Sequence, residues 1–270
     1  MERDLTAAGL HSPAILLAPT LGDNLTTRIQ LCGTLAVELE GRELTPRLPT
    51  GQARVLFTYL IVTRALPSSR DRLIEALWPN RRPAGADTAL SALLSRLRSV
   101  LGNDVLCGRS DIHVRLPDDA WIDIEAAEEA IHRAEAAVSQ RDWPRGWGPS
   151  LIALFTARRG FLPNEDLAWA DEYRQRLTEI HICALECYAA VALGVGGSEL
   201  APGERSAREL IKLAPYRERG HALLMELLTA RGNSAEALRV YEQLRQRLSD
   251  ELGATPAPEL RELQTRLLRR

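Results

Sequence analysis

The stretch Ala86-Asp-Thr-Ala-Leu-Ser-Ala-Leu-Leu-Ser-Arg-Leu-Arg-Ser-Val-Leu101 reads as one amphipathic helix. Leu90, Leu93, Leu94, Leu97 and Leu101 recur at three-and-four spacing and fill one side, and Gly102 supplies a stop. The opposite side carries Thr88, Ser91, Ala92, Ser95, Arg96 and Ser99. It combines short side chains with arginine, so this helix is built to approach another surface closely.

Upstream, Pro79-Asn-Arg-Arg-Pro-Ala-Gly85 is a short polar loop stiffened by two prolines. Before it, Pro67-Ser68-Ser69 makes a turn and a cap. A helix over Arg70–Trp78 follows, with Leu73, Ile74, Leu77 and Trp78 at helical spacing and Pro79 as its end. Earlier still, Thr50 is placed to cap a helix over Gln52–Val62 whose core stripe is Val55, Leu56, Tyr59 and Leu60 or Val62. Arg28–Glu40 alternates apolar and polar residues around a Gly-Thr break and meets the turn Glu40-Gly41-Arg42, the pattern of a small antiparallel sheet. Downstream, Val105–Leu116 reads as a hairpin with its tip from Gly108 to Asp111, and Pro117-Asp-Asp closes the unit.

From Trp121 onward the pattern is helical with no strand signal. Segments fall at about Asp123–Val138, Pro149–Ala157, Leu167–Leu193, Gly203–Leu213, Tyr216–Ala230, Ser234–Leu252 and Pro258–Leu268. The stretches Glu204–Pro215 and Asn233–Leu244 resemble each other at an offset of about thirty residues, near the period of a tetratricopeptide helical hairpin. An ordinary helical bundle shares the same stripes. The expected fold class is mainly α with a small β component: an N-terminal winged helix-turn-helix followed by an all-α, tetratricopeptide-like repeat. The expected division is a loose arm over residues 1–27, the winged unit over 28–117 and the helical unit over 118–270.

The whole chain of 270 residues has a net charge of −2, but the signs are segregated. Gly41–Leu116 holds 12 Arg against 6 acids, whereas the remainder from Pro117 holds 20 Lys plus Arg against 25 acids. A basic front half points toward nucleic acid, although such surface charge also occurs in proteins that never meet DNA. Aromatic residues make up only 5% of the chain and hydrophobic residues 45%, which suits helices better than a β-sandwich. Cys32, Cys107, Cys183 and Cys187 lack repeated spacing and lie in apolar segments, as expected of buried thiols in a reducing cytoplasm. The apolar run Ala14–Ala18 is too short to cross a bilayer, so the expectation is a cytoplasmic protein with no membrane partner.

No Gly-x-Ser-x-Gly, His-Glu-x-x-His or phosphate-cradling Gly-x-x-x-x-Gly-Lys-Ser/Thr occurs, and His11, His113, His132, His181 and His221 are scattered singly. No enzyme activity, metal or cofactor is expected. Strand pair, three helices, slim outward face and Gly-tipped hairpin all fall within about ninety residues, an order that favours binding to double-stranded DNA. Thr88, Ser91 and Ser95 would allow close approach to base edges. Arg96 would read a base or hold a phosphate, Arg98 nearer the flank would hold the backbone, and Ser99 belongs to the same DNA-binding side. Arg109, His113 and Arg115 on the hairpin would follow the adjacent groove. Taken alone, Arg96 and Arg98 read as solvated arginines of the kind any amphipathic surface helix carries, and it is the order of elements around them that favours DNA.

Arg70–Pro79 followed by Leu94–Gly102 resembles the OmpR-like winged helix of the Streptomyces antibiotic regulatory protein family. Arg159-Gly-Phe-Leu-Pro163 with Trp169, and Ala237–Leu244 running on to Glu251-Leu-Gly-Ala-Thr-Pro256, look like the bacterial transcriptional activator domain. The resemblance implies a bacterial, nucleoid-associated transcriptional activator. It would bind promoter direct repeats as side-by-side protomers, a dimer on DNA, and recruit RNA polymerase holoenzyme through its sigma factor and the α C-terminal domain. The genes served would be those of secondary metabolism or another specific pathway. It further implies that the loop Trp78–Gly85, with Arg81 and Arg82, meets the polymerase. Two segments depart from the family pattern and read as loops or a ligand pocket: Gln140–Gly148, rich in Trp and Gly, and the Gly-rich Val191–Pro202. The rival reading is an adaptor, a helical-repeat scaffold that binds a peptide or small signal and uses the winged unit for docking to another protein.

Overall fold

The computed structural model describes residues 27–163 and 165–269. Most of the arm expected over residues 1–27 lies outside them. Thr27 is described and is buried, its carbonyl accepting from Trp121 N–H at 2.9 Å.

The chain opens with β1 (Arg28–Gln30), β2 (Ala36–Leu39) and β3 (Arg42–Glu43), a meander joined at the two-residue turn Glu40–Gly41. Ile29 lies opposite Val37, and both are fully buried. α1 (Gln52–Val62) starts one residue later than a Thr50 cap would place it, with Gly51 as its cap residue. Its buried set runs without a break from Val55 to Ile61 and is wider than one stripe. Elements pack on it from several sides, so no polar face is left.

β4 (Ser68–Ser69) leads into α2 (Arg70–Leu77), and the Ser69 hydroxyl accepts from Arg72 N–H at 3.3 Å, the expected cap. α3 covers Ala86–Leu101, and all five leucines of its apolar side are buried. β5 (Leu106–Cys107) and β6 (Asp111–Val114) form the hairpin, and β6 also pairs with β4, opposing Ile112 to Ser68. This is a winged helix-turn-helix.

A short strand then corrects the reading of the second half as free of strands: β7 (Trp121–Ile122) runs parallel to β1, with Ile122 beside Ile29. α4 (Asp123–Ser139) starts at the very next residue. After it come α5 (Trp143–Arg158), α6 (Ala168–Val195), α7 (Leu200–Leu213), α8 (Glu218–Ala230), α9 (Ser234–Leu252) and α10 (Pro258–Leu268), each packed on its sequence neighbours. α6 also touches both α4 and α8, the arrangement of stacked helical hairpins.

The two segments that departed from the family pattern prove to be mainly packing devices. α5 begins at Trp143, six residues before the expected Pro149, because the Asp142 carboxylate caps Arg145 N–H at 3.2 Å and Pro144 sits in the first turn. The Trp143 ring lies so close to Gly194 that a Cβ there would stand 2.4 Å from it. Only glycine permits this approach. By length and composition alone α6 is apolar enough to cross a bilayer, but it is the central helix of the stack, with Leu177, Ile180, Leu185 and Val191 in the core. The four cysteines are free: Cys32 and Cys187 are buried, Cys107 and Cys183 half-buried.

The winged unit is fastened to the helices along a seam. Asp123, fully buried at the start of α4, accepts from Leu31 N–H at 2.8 Å and Cys32 N–H at 3.0 Å, and pairs with Arg159 at 3.2 Å. Burial raises the Asp123 carboxyl above the usual range, against the pull of these backbone donors and of Arg159. Gly33 N–H donates to Gly160 O at 2.8 Å, and Cys32 bridges to Phe161 in antiparallel fashion. On the other side, Trp169 donates its indole N–H to Ala76 O at 3.1 Å and stands edge-on to Tyr59 at 5.0 Å. Tyr173 donates to Val62 O at 3.3 Å, and Arg64 forks onto Glu125. One continuous apolar core runs across this seam from Ile29 to Leu185.

Candidate nucleic-acid interface

The leucine stripe of α3 fixes which side faces out. Thr88, Ser91, Ser95, Arg96 and Ser99 are all exposed on the side away from the core. Their surroundings differ. Arg96 carries its guanidinium into solvent, with no side-chain hydrogen bond or salt bridge among the described residues. The Ser99 hydroxyl turns back to Arg96 O at 2.7 Å. The Ser91 hydroxyl donates to Asp87 O and accepts from the Arg70 guanidinium, both at 2.8 Å. Arg70 also donates to Asp87 O at 2.9 Å and lies 3.6 Å from the Asp87 carboxylate.

Arg70 is the residue that the sequence reading missed. Its place at the start of α2 was legible, but its reach to Asp87 and Ser91, 17 and 21 positions away, depends on how α2 crosses α3. Arg82 converges on the same acid, 3.4 Å from Asp87 and 3.9 Å from Asp71. Arg81, beside it, is exposed and forms no salt bridge among the described residues. An acid in the first turn favours the positive end of the helix dipole, and here it also gathers two arginines at the entrance of α3.

Arg98 differs from Arg96. Its Nε donates to Leu106 O at 3.2 Å and its other nitrogen donates to Gly108 O, so it ties α3 to the hairpin. The tip needs its glycine: Gly108 has φ +89°, and a Cβ there would fall 1.8 Å from Asp111 O. Arg109 at the tip and Arg115 at the base are exposed and unpaired by any acid among the described residues. His113 is half-buried opposite Cys107, with Nδ1 enclosed and unbonded.

The structure therefore brings Thr88, Ser95, Arg96, Arg109 and Arg115 to solvent on α3 and the hairpin, while Ser91, Arg98 and Ser99 are engaged in internal bonds. The arrangement offers cationic donors around a slim helix, which is the chemistry of phosphate and base-edge contact. Among the described residues no group of three or more His, Cys, Asp or Glu is placed to hold a metal.

Residues 122–268 match the bacterial transcriptional activator domain. The chain is 34% identical over 223 residues to the regulatory protein AfsR of Streptomyces griseus, a match that covers 81% of this chain and 22% of AfsR. It is 26% identical over 277 residues to the transcriptional regulatory protein MoaR1 of Mycobacterium tuberculosis, covering 96% of this chain and 84% of MoaR1. The solved structure of Mycobacterium tuberculosis EmbR in complex with a low affinity phosphopeptide superposes with a TM-score of 0.71 at 25% identity, over 92% of this chain and 66% of that one. The chain thus spans less than a quarter of AfsR but most of MoaR1.

Proposed function

This chain belongs to the bacterial transcriptional activator domain family, the regulators that include the Streptomyces antibiotic regulatory proteins, and from that premise we propose that it is a sequence-specific DNA-binding activator. In this reading residues 28–117 bind DNA and residues 118–270 serve activation. Two protomers sit side by side on direct repeats at a promoter, in the cytoplasm, and recruit RNA polymerase holoenzyme through its sigma factor and α C-terminal domain. The genes served are those of secondary metabolism or another single pathway.

One observation carries the proposal: Arg96 is exposed and uncommitted on a helix whose neighbouring outward side chains are Thr88, Ala92 and Ser95. A helix with that face enters a major groove without steric obstruction and presents a donor able to fork onto guanine. Arg109 and Arg115 of the hairpin then lie against phosphates, and Arg98 acts by holding the hairpin to the helix. Thr88, Ser95, Ser91, Ser99 and His113 complete the surface, with Ser91 set by Arg70. Arg81 is the residue left to meet the polymerase, because Arg82 is drawn to Asp71 and Asp87.

The test is fluorescence anisotropy of the purified chain on its own upstream region. Affinity should fall by orders of magnitude between about 50 and about 200 mM salt, and unrelated duplex should bind far more weakly. Equal binding to both duplexes, or indifference to salt, would rule out the activator reading in favour of an adaptor.

A further inference from the structure

The segment Trp143-Pro-Arg-Gly-Trp147 holds two tryptophans with different environments. Trp143 covers Gly194 inside the stack. Trp147 points outward and remains 42% exposed, yet it is held: its indole N–H donates to the Glu199 carboxylate at 3.2 Å, which also accepts from Tyr188 O–H at 2.9 Å. Leu151 and Phe155 follow at successive four-residue steps along the same side of α5, Leu151 half-buried and Phe155 45% exposed.

That side of α5 looks toward α7. Both helices pack on α6, and they are bridged at two levels, by Trp147 to Glu199 just ahead of α7 and by Arg158 to Glu209 within it. On the face of α7 that carries Glu209, Arg205 and Lys212 stand one turn to either side. Both are exposed, and neither forms a salt bridge among the described residues. The acids here are already committed, Glu199 to Trp147 and Tyr188, and Glu209 to Arg158. One wall is therefore apolar and aromatic, and around the other Arg158, Arg205 and Lys212 stand against the two carboxylates Glu199 and Glu209, an excess of one positive charge.

We propose that this α5–α7 face is the docking site for an acidic amphipathic helix of a partner protein. Its apolar side lies on Trp147, Leu151 and Phe155, and its carboxylates meet Arg205 and Lys212. From Trp147 to Phe155 the stripe runs about 12 Å, enough for two turns of a bound helix. A tryptophan already fixed by a hydrogen bond loses little freedom on binding, which is the property of an interface anchor. The unpaired cations select an acidic partner over a basic one of the same apolar pattern. This surface is separate from the DNA-facing residues, so its test stands apart from the DNA reading.

The experiment titrates the isotope-labelled full chain with a synthetic 16-residue peptide carrying leucine at positions 2, 6, 9 and 13, glutamate at positions 3, 7, 10 and 14 and helix-favouring alanine elsewhere, while following the indole N–H signals. A second peptide has lysine in place of every glutamate. The glutamate peptide should shift the signal that Trp147→Phe removes, and the lysine peptide should leave it in place. Trp147→Ala and Phe155→Ala should each weaken binding about tenfold. Arg205→Glu with Lys212→Glu should weaken it by a similar factor while melting temperature and DNA affinity stay unchanged. No shift, equal shifts from both peptides, or undiminished binding by the variants overturns the proposal. Concentration-dependent self-association that Trp147→Ala abolishes also overturns it, by making a second copy of the chain the occupant.

Discussion

Arginine is used in opposite ways on the two sides of the winged unit. At the seam with the helices, Arg159 pairs with a fully buried carboxylate and Arg64 forks onto Glu125. Just behind it, Arg174 donates to the carbonyls of Phe161, Leu162 and Glu165 and pairs with Asp171. On the α3 and hairpin side, Arg96, Arg109 and Arg115 end in solvent, with no acid beside them among the described residues. The side chains are chemically identical, and what differs is whether the fold surrounds them with acceptors. A guanidinium whose donors are filled fixes a position, whereas one with open donors keeps its capacity to hold an external anion. Arg98 falls between the two, on the α3 and hairpin side yet spent on the carbonyls of the hairpin.

That contrast can be broken most severely at Asp123. Asp123→Ala removes the acceptor of two buried backbone donors and leaves Arg159 without its partner, so urea denaturation should show a loss of about 3–5 kcal/mol. Next is Arg96→Ala, which should cost about 1–3 kcal/mol of affinity for the specific site, more than for random duplex, with folding stability unchanged within about 0.5 kcal/mol. Equal losses on both duplexes would make Arg96 a phosphate anchor only. Arg98→Ala sharpens the comparison by straddling it: about 1 kcal/mol of stability should go with the two carbonyl bonds, and DNA affinity should fall with it as the hairpin loosens.

Separating Arg81 from Arg82 tests the loop. Arg81→Ala should lower transcription in a purified system with DNA binding intact. Arg82→Ala, which leaves Asp71 without its cation and Asp87 with Arg70 alone, should disturb DNA binding itself. The smallest effect is on pH. Burial lowers the His221 imidazole below its ordinary value of 6.5, with Nε2 3.0 Å from Pro215 O, and it lowers His181 likewise. The unfolded chain then binds more protons than the native one just below pH 6.5, so stability falls as pH drops through that window. His221→Gln should flatten the melting temperature between pH 7 and 5.

How much of this was legible in the sequence follows from range. α3 was readable to its terminal residues, because five leucines at helical spacing and a following glycine are local signals. The outward placement of Thr88, Ser95 and Arg96 followed from the same periodicity. β7 was not legible: two residues carry no periodicity, and its partner strand lies more than ninety positions earlier. The start of α5 was hidden by a composition of Trp, Pro and Gly that argues against a helix until Asp142 and the close packing of Gly146 against Val191 and Ala137 are seen. The engagement of Ser91 and Arg98 was hidden for the same reason. Their partners, Arg70 and the hairpin carbonyls, are set by the crossing of elements and not by the pattern within one.

The direct step from β7 into α4 has a consequence for the promoter. A chain that passes from a sheet strand to the first helix of the stack without an intervening linker, and is then clamped at Asp123, has no hinge there about which the two parts can turn. With α3 docked in a groove as proposed, the compass bearing of the helical stack around the DNA axis would be fixed. Operator position should then be felt as rotational phase: inserting about five base pairs turns the stack to the far side of the duplex, and about ten brings it back.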